Sequence, residues 1–132
     1  PEGDALYHSL QVFTLAREQL PYDEEFLLAA LLHDVGKSFD LRNPVPAGLS
    51  ALEGFITPRT AWLLEHLPEA HLLCASAIGI RCRRRLEQSP DFDELMILRD
   101  CDVAGRQIGF PADDVEDALA YLRKLAEDCQ GE

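Results

Sequence analysis

Four side chains that can bind a metal ion lie in segments of the sequence that are otherwise apolar: His8, His33, Asp34 and Asp102. A buried carboxylate is costly in free energy unless it is paired or coordinates a metal. Two imidazoles and two carboxylates on three helices can share that cost by coordinating one divalent cation. A mixed set of nitrogen and oxygen ligands suits Mn, Fe, Co, Ni or Zn better than Ca, and Mg is a further candidate. The residue types therefore predict one divalent metal ion in the interior of the protein.

The pattern of apolar residues predicts the helices that carry these side chains. The first helix is expected over about residues 4–20, where His8 shares one face with Val12. The second is expected to begin with Asp23 as its N-cap, and its body is apolar almost all round, which predicts a central helix. It should end in the string His33-Asp34-Val35-Gly36-Lys37, with Gly36 as the C-cap.

The rest of the chain is also predicted to be helical. Residues 40–55 indicate a long loop with one short helix around 49–53. Thr57-Pro58 predicts a helix start, and Pro68 should separate that helix from one over about 69–87. Asp91 and Glu94 resemble a capping box that opens a helix through Asp102.

Asp113 or Asp114 should cap the last helix, with an inward face formed by Val115, Leu119, Leu122 and Leu125. The sequence thus predicts an all-α bundle of about six to seven helices, in a single domain over residues 1–132.

The composition limits the class of protein. The 132 residues include 24 Asp and Glu against 12 Lys and Arg, a net charge of −12, and 47% are hydrophobic. That apolar fraction excludes a disordered chain, and the acidic balance argues against general binding to duplex nucleic acid. No apolar run is long enough to span a membrane, and no signal peptide is visible. Four widely spaced cysteines without a C-x-x-C pair predict reduced, mostly buried thiols in a cytoplasmic protein.

Three strings in order resemble the HD superfamily of metal-dependent phosphohydrolases. They are Tyr7-His8-Ser9-Leu10-Gln11-Val12, Leu31-Leu32-His33-Asp34-Val35-Gly36-Lys37 and Leu98-Arg99-Asp100-Cys101-Asp102. Together they form the pattern H…HD…D over about 100 residues. The stretch from Asp102 to Arg106 is also similar to the HD domains of bacterial tRNA nucleotidyltransferases. The resemblance implies an all-α fold and a divalent metal bound by His8, His33, Asp34 and a late aspartate.

The identity of the late aspartate and of any further ligand stays open at this stage. Asp100 and Asp102 lie about 200° apart on a helix, and we prefer Asp102 because it matches the Asp-x-x-Gly-Arg arrangement. Members of the superfamily with two metals carry additional histidines, where this chain has only His66 and His71. We expect His71 at the surface, keep His66 as an alternative ligand, and therefore predict one metal ion.

Several residues are candidates for the chemistry of phosphate ester hydrolysis. Asp34 could orient or deprotonate a water, and Lys37 could contact a phosphate oxygen or hold Asp34 in place. Four of the twelve cations stand at 81 and 83–85, where the favoured interpretation is a solvated helix face that pairs with nearby Glu and Asp. The alternative is phosphate recognition, for which Arg81 is kept as a candidate substrate contact. The other substrate-binding candidates are Arg106 and Arg59, which lies in the segment 55–60 that stands where the resemblance implies a histidine-containing element.

Three functions are compatible with these features. The first is an HD-type phosphohydrolase that hydrolyses a nucleotide or other small phosphate ester. The second is a degenerate HD module that binds a metal, a nucleotide or a protein partner without turnover. The third is a purely structural bundle in which the acidic surface is the working part. The four-residue set favours the first, and the missing histidines favour the second.

Overall fold

The computed structural model describes residues 2–34, 42–105, 112 and 114–130, and all regular structure in these ranges is helical. This confirms the predicted all-α fold. The seven described helices are α1 (Glu2–Gln19), α2 (Glu24–Leu32), α3 (Pro44–Leu52), α4 (Pro58–Cys74), α5 (Ile80–Gln88), α6 (Phe92–Ala104) and α7 (Val115–Gln130). None of them is both long and apolar enough to cross a membrane.

Helix α2 lies at the centre of the bundle, as its uniformly apolar body predicts. It packs against α1, α4, α6 and α7. Phe26, Leu27, Ala29 and Ala30 are all fully buried, and together they cover more than one side of the helix. Consequently His33 and Asp34, which follow the end of α2, lie among the surrounding helices and are largely shielded from solvent.

Three helix starts are confirmed by their side-chain caps. The Asp23 carboxylate accepts a hydrogen bond from the Phe26 N–H (3.1 Å), and the Thr57 hydroxyl accepts one from the Thr60 N–H (3.3 Å). Asp114 caps α7 through the N–H of Asp117 (2.8 Å). Each cap satisfies an amide that has no partner within its own helix.

The segment predicted as a loop with a short helix contains the longer helix α3. It starts at Pro44 and the first intrahelical bond runs from the Ala47 N–H to the Asn43 carbonyl (3.2 Å). Pro44 and Pro46 stand in the first turn, where a backbone N–H needs no partner within the helix. The prolines that suggested a loop are therefore compatible with a helix start.

The prediction that Pro68 ends a helix was wrong. Helix α4 runs through this exposed proline to Cys74, and the turn before α5 lies at 75–79. There Ser76 adopts a φ of +57°, and the N–H groups of Ser76 and Ala77 bond to the carbonyls of Leu73 and Leu72. This is a Schellman ending with serine at the position that glycine usually takes, so the sequence carries no glycine signal for it.

Three smaller predictions also need correction. Helix α2 ends at Leu32 with His33 as its C-cap residue, before the predicted end at Gly36, which lies outside the described residues. Asp91 precedes α6 without capping it, because its carboxylate binds Arg59. In α7, Leu122 is buried and Leu125 packs against the core as predicted, but Val115 and Leu119 are exposed and Ala118 is buried, so the predicted inward face is only partly correct.

The cysteines differ in burial more than the sequence suggests. Cys101 is buried, and burial raises the pKa of its thiol to about 11. Cys82 is half-buried and Cys74 is exposed, so the prediction of mostly buried thiols was wrong for Cys74. All three are free thiols.

Candidate metal centre

Helices α1, α2 and α6 bring the four predicted ligands to one place. His8 comes from α1, His33 and Asp34 follow α2, and Asp102 comes from the last turn of α6. The imidazole Nε2 of His8 lies 2.8 Å from Asp102 Oδ1, and Nε2 of His33 lies 3.2 Å from the same oxygen. Asp34 Oδ2 lies 3.4 Å from Nε2 of His33 and 4.0 Å from that of His8. Residues nearly a hundred positions apart thus form one polar cluster inside an apolar core.

The backbone sets the orientation of the His33 imidazole. Its Nδ1–H donates to the Ala30 carbonyl at 2.8 Å, so in the neutral ring Nε2 carries a lone pair. The side chain is only 2% exposed, and Nε2 has no hydrogen-bond partner of normal geometry among the described residues. A buried ring nitrogen left with a lone pair directed at carboxylates is suited to coordinate a cation.

His8 is arranged in the same way. Its Nδ1–H donates to the Gly105 carbonyl at 3.3 Å, which leaves Nε2 facing the Asp102 carboxylate. The two imidazole rings meet edge to face, with centroids 5.1 Å apart. A nitrogen lone pair and a carboxylate oxygen repel each other unless a proton or a cation lies between them. The arrangement therefore requires positive charge at the point where the two rings meet.

Asp102 is held on its other side by a residue that the sequence analysis placed at the surface. Nε2 of His71 lies 2.7 Å from Asp102 Oδ2, in hydrogen-bonding geometry, while Oδ1 faces His8 and His33. The expectation for His71 was wrong because α4 continues past Pro68. Along that uninterrupted helix, His71 follows the buried Thr60, Leu64 and Leu67 at i+11, i+7 and i+4, so it shares their inward face.

The charges in the cluster support one another. Burial alone would lower the pKa of His33, but the carboxylates of Asp102 and Asp34 raise it above its usual value. Burial would raise the pKa of Asp102, yet the close approach and charge of His33, with hydrogen bonds from His8 and His71, lower it well below its usual range. Asp102 is therefore ionised although its side chain is only 5% exposed. The site holds negative charge that imidazolium groups or a metal ion can balance.

These donors fit a divalent metal ion. One ligand atom from each of His8, His33 and Asp34 can be chosen so that all lie within 4.8 Å of one another. Asp102 Oδ1 adjoins the same nitrogens. The set combines two imidazole nitrogens with carboxylate oxygens, which is the chemistry of a transition-metal site. Both imidazoles also have the backbone acceptor at Nδ1 that orients most metal-binding histidines.

The comparison with known families agrees with this geometry. The HD domain family model matches residues 5–104, which include all four clustered residues. The chain belongs to the HD-domain family. This family consists generally of metal-dependent phosphohydrolases. A search of the curated proteins found no match.

In this HD domain, Gly105 allows α6 to end directly against α1. A Cβ at this position would lie 2.9 Å from Val12 Cγ2 and 3.3 Å from the Val12 nitrogen. The missing side chain lets the Gly105 carbonyl reach the His8 ring, so the glycine contributes to the orientation of a metal-facing residue. It is a second residue, after His71, that supports the cluster without belonging to it.

The two alternative ligands lie away from the cluster. The Asp100 side chain is 67% exposed and pairs with Arg99, because it points to the opposite side of α6 from Asp102. His66 packs against Trp62 with ring centroids 4.6 Å apart, and its Nδ1 lies 3.8 Å from Glu69. Neither residue contacts the other members of the cluster.

Arg59 does not face the metal centre. Its guanidinium binds both oxygens of Asp23 (2.6 and 2.8 Å) and one of Asp91 (2.8 Å). It lies in the first turn of α4, twelve residues before His71, which corresponds to about 18 Å along the helix axis. The acidic N-terminal region of α2 and the start of α6 hold this cation, and its contact with substrate stays a prediction from the sequence.

The remaining substrate-binding candidates have different outcomes. Arg81 is exposed in the first turn of α5. Lys37 and Arg106 lie outside the described residues, so their roles stay predictions from the sequence.

Proposed function

We propose that this HD domain binds one divalent metal ion through His8, His33, Asp34 and Asp102 and hydrolyses a phosphate ester, with a nucleotide as the leading candidate substrate. The observation that carries the proposal is the pair of imidazoles whose Nδ1 atoms donate to backbone carbonyls while both Nε2 atoms face shared carboxylates. Mn, Fe, Co, Ni, Zn and Mg are the candidate ions, and the two imidazole nitrogens favour a transition metal over Mg.

A divalent cation in such a site supplies a more acidic water and neutralises charge on the phosphoryl oxygens. The protein supplies the positioning. His8 and His33 are oriented by backbone carbonyls, and Asp102 is oriented by His71. Preorganised groups of this kind need little rearrangement during the reaction.

Asp34 is the candidate for accepting a proton from the attacking water. Its side chain is 13% exposed, against 5% for Asp102, so it lies closer to solvent within the cluster. Lys37 follows three residues later and is the proposed contact for a phosphate oxygen. In the hydrolysis, water adds to phosphorus, the ester P–O bond breaks, and the leaving oxygen takes up a proton.

The test combines metal analysis with turnover. The purified protein should contain one divalent ion per chain and should hydrolyse an aryl phosphate or a nucleotide in the presence of added Mn²⁺. Asp34→Asn should abolish turnover, whereas His66→Ala, a histidine change outside the cluster, should leave it intact.

Two results would overturn the proposal in different ways. Metal without turnover on a broad panel of phosphate esters would favour the degenerate HD module that binds without hydrolysis. The absence of both metal and turnover would favour a purely structural bundle. The engagement of Arg59 by Asp23 and Asp91 is compatible with the binding module, because it removes one of the cations expected to contact substrate.

A further inference from the structure

Helix α5 carries an arginine stripe, which consists of Arg81, Arg84 and Arg85. These positions stand at i, i+3 and i+4, so they share one face of the helix. All three are exposed, while Leu86, on the other side of α5, is 2% exposed and packs into the core. The stripe is thus turned away from the interior and toward solvent.

The stripe lacks the acidic partners that the composition would lead one to expect. Acidic residues outnumber basic ones by 24 to 12, and Arg59 lies within 4 Å of three different carboxylates. In the described part of the chain, none of the three arginines in the stripe forms a salt bridge, although the neighbouring Arg83 pairs with Glu87. A concentrated, uncompensated positive charge in an acidic protein indicates a surface for an anionic partner.

The arginine stripe lies at the same end of the molecule as the candidate metal centre. The Cys82 thiol donates to the Glu69 carboxylate at 3.0 Å, which ties the first turn of α5 to the last part of α4. Glu69 precedes His71 by two positions, so the two side chains leave α4 on nearly opposite sides. The stripe and the metal centre therefore lie on different sides of the C-terminal part of α4, and α5 adds to their separation because Arg84 stands two positions after Cys82.

We propose that the arginine stripe binds the phosphate backbone of a single-stranded nucleic acid whose end reaches the metal centre. This inference rests on the proposed phosphohydrolase function and specifies its substrate as a phosphodiester chain. A mononucleotide is too short to occupy the metal centre and the far side of α4 together. Three arginines in a row match a chain that presents one phosphate after another, and guanidinium groups pair with phosphate in a bidentate manner.

The same surface favours a single strand over the other anionic polymers. One stripe on a molecule of net charge −12 provides too little cationic surface for a duplex. Ile80, which is 68% exposed and adjoins Arg84 at i+4, offers an apolar contact for an unstacked base beside the phosphate contacts.

The experiment measures fluorescence anisotropy of a labelled oligouridylate of about 12 nucleotides with the full chain, in buffer with a chelator so that no hydrolysis interferes. Contacts to three phosphates predict that the affinity falls about 20-fold between 50 and 200 mM salt. Arg84→Glu with Arg85→Glu should weaken binding at least tenfold. The control is Arg123→Glu with Lys124→Glu on α7, which changes the net charge by the same amount at exposed positions and should have little effect.

Equal losses for the two double variants would overturn the inference, because the effect would then come from net charge. An unlabelled polyglutamate of equal charge that competes as well as the oligonucleotide would also overturn it and indicate an acidic protein partner. Because strand binding is measured without metal, it can fail while turnover on an aryl phosphate succeeds. Turnover can likewise fail while strand binding succeeds, so the two experiments distinguish failure of one proposal from failure of the other.

Discussion

The carboxylate of Asp102 is shared by three histidines that contact it in two different ways. His8 and His33 approach Oδ1 with Nε2, while Nδ1 of each ring is bound to a backbone carbonyl. His71 approaches Oδ2 and is the most exposed of the three. In the proposed metal site, this division assigns Oδ1 to the metal ion and gives His71 the role of a positioning residue.

We predict that His71→Ala lowers the affinity for Mn²⁺ by roughly 10- to 100-fold while the protein stays folded, because Asp102 loses the bond that orients it. His71→Gln should recover part of the affinity, since its amide can also donate to Oδ2. Isothermal titration calorimetry measures the change, and His66→Ala on the same helix is the control. Wild-type affinity in His71→Ala would show that this bond does not position Asp102.

The raised pKa of His33 predicts how the stability of the metal-free protein depends on pH. A folded-state pKa above the unfolded value of 6.5 contributes stability that is complete below pH 6.5 and is lost as pH rises through the folded pKa. In chelator, the melting temperature should therefore fall above pH 6.5, and His33→Gln should reduce this dependence. Saturating metal should abolish it, because a bound cation takes the place of the proton. A flat thermal profile for the metal-free wild type would contradict the prediction.

Two junctions between helices hold the elements that carry the site. At one, the C-terminal end of α6 meets α1 through Gly105 and Val12. At the other, Arg59 at the start of α4 links Asp23 before α2 to Asp91 before α6. The first junction adjoins the metal centre, to which α4 contributes His71 near its C-terminal end. The second junction lies at the N-terminal end of α4, so a change there should affect stability without affecting metal affinity.

We expect Gly105→Ala to lower stability by about 1–3 kcal/mol, because the new Cβ overlaps a stiff, branched Val12 side chain in the core. The affinity for metal should fall as well, since the acceptor for His8 Nδ1 must shift. Chemical denaturation and calorimetry measure both effects. In a double-mutant cycle with Val12→Ala, the two changes should cost less together than their sum. Strict additivity would show that the close approach at Gly105 is not under the predicted constraint.

Arg59→Met should lower stability by about 1–3 kcal/mol, because the partly buried carboxylates of Asp23 and Asp91 lose their cationic partner. Metal affinity should be unchanged, because these carboxylates lie far from the metal centre. Burial alone would raise the pKa of Asp23. Hydrogen bonds from Arg59 and from the Phe26 N–H lower the pKa by more than burial raises it, so the folded-state pKa lies below the ordinary value of 3.8. The stabilisation is therefore present above pH 3.8 and is lost as pH falls through the folded pKa. Denaturation curves at several pH values test this, with the exposed Arg83→Met as the control. A large loss of metal affinity in Arg59→Met would contradict the separation of the two junctions.

At the scale of the whole molecule, the metal centre joins three helices that are distant along the chain. A ligand that binds only the folded state stabilises it by RT ln(1 + L/Kd), where L is the free ligand concentration, so the stabilisation rises with the logarithm of that concentration. Metal at 100 times its dissociation constant should therefore add about 2.7 kcal/mol to the free energy of unfolding.

The variant His33→Ala with Asp34→Ala should be helical, less stable and insensitive to added metal in thermal melts followed by circular dichroism. If it melted like the wild type and the wild type held no metal, the assignment of the site would be wrong.

Local sequence signals were sufficient for the all-α fold, for the central position of α2 and for the caps at Asp23 and Thr57, and they limited the cap of α7 to Asp113 or Asp114. These features depend on residue periodicity and on side chains that bond to amides two or three positions away. The clustering of His8, His33, Asp34 and Asp102 followed from polar residues in apolar stripes together with the resemblance to the HD family.

The tertiary structure alone decided the features that depend on distant contacts. Pro68 remains within α4 because that helix is packed on one side along its length, and this packing turns His71 toward Asp102. Arg59 became a link between helix starts because two carboxylates from separate elements converge on it. Propensity and spacing describe a residue's neighbours along the chain, whereas these partners lie more than thirty positions away and become neighbours only when the helices pack.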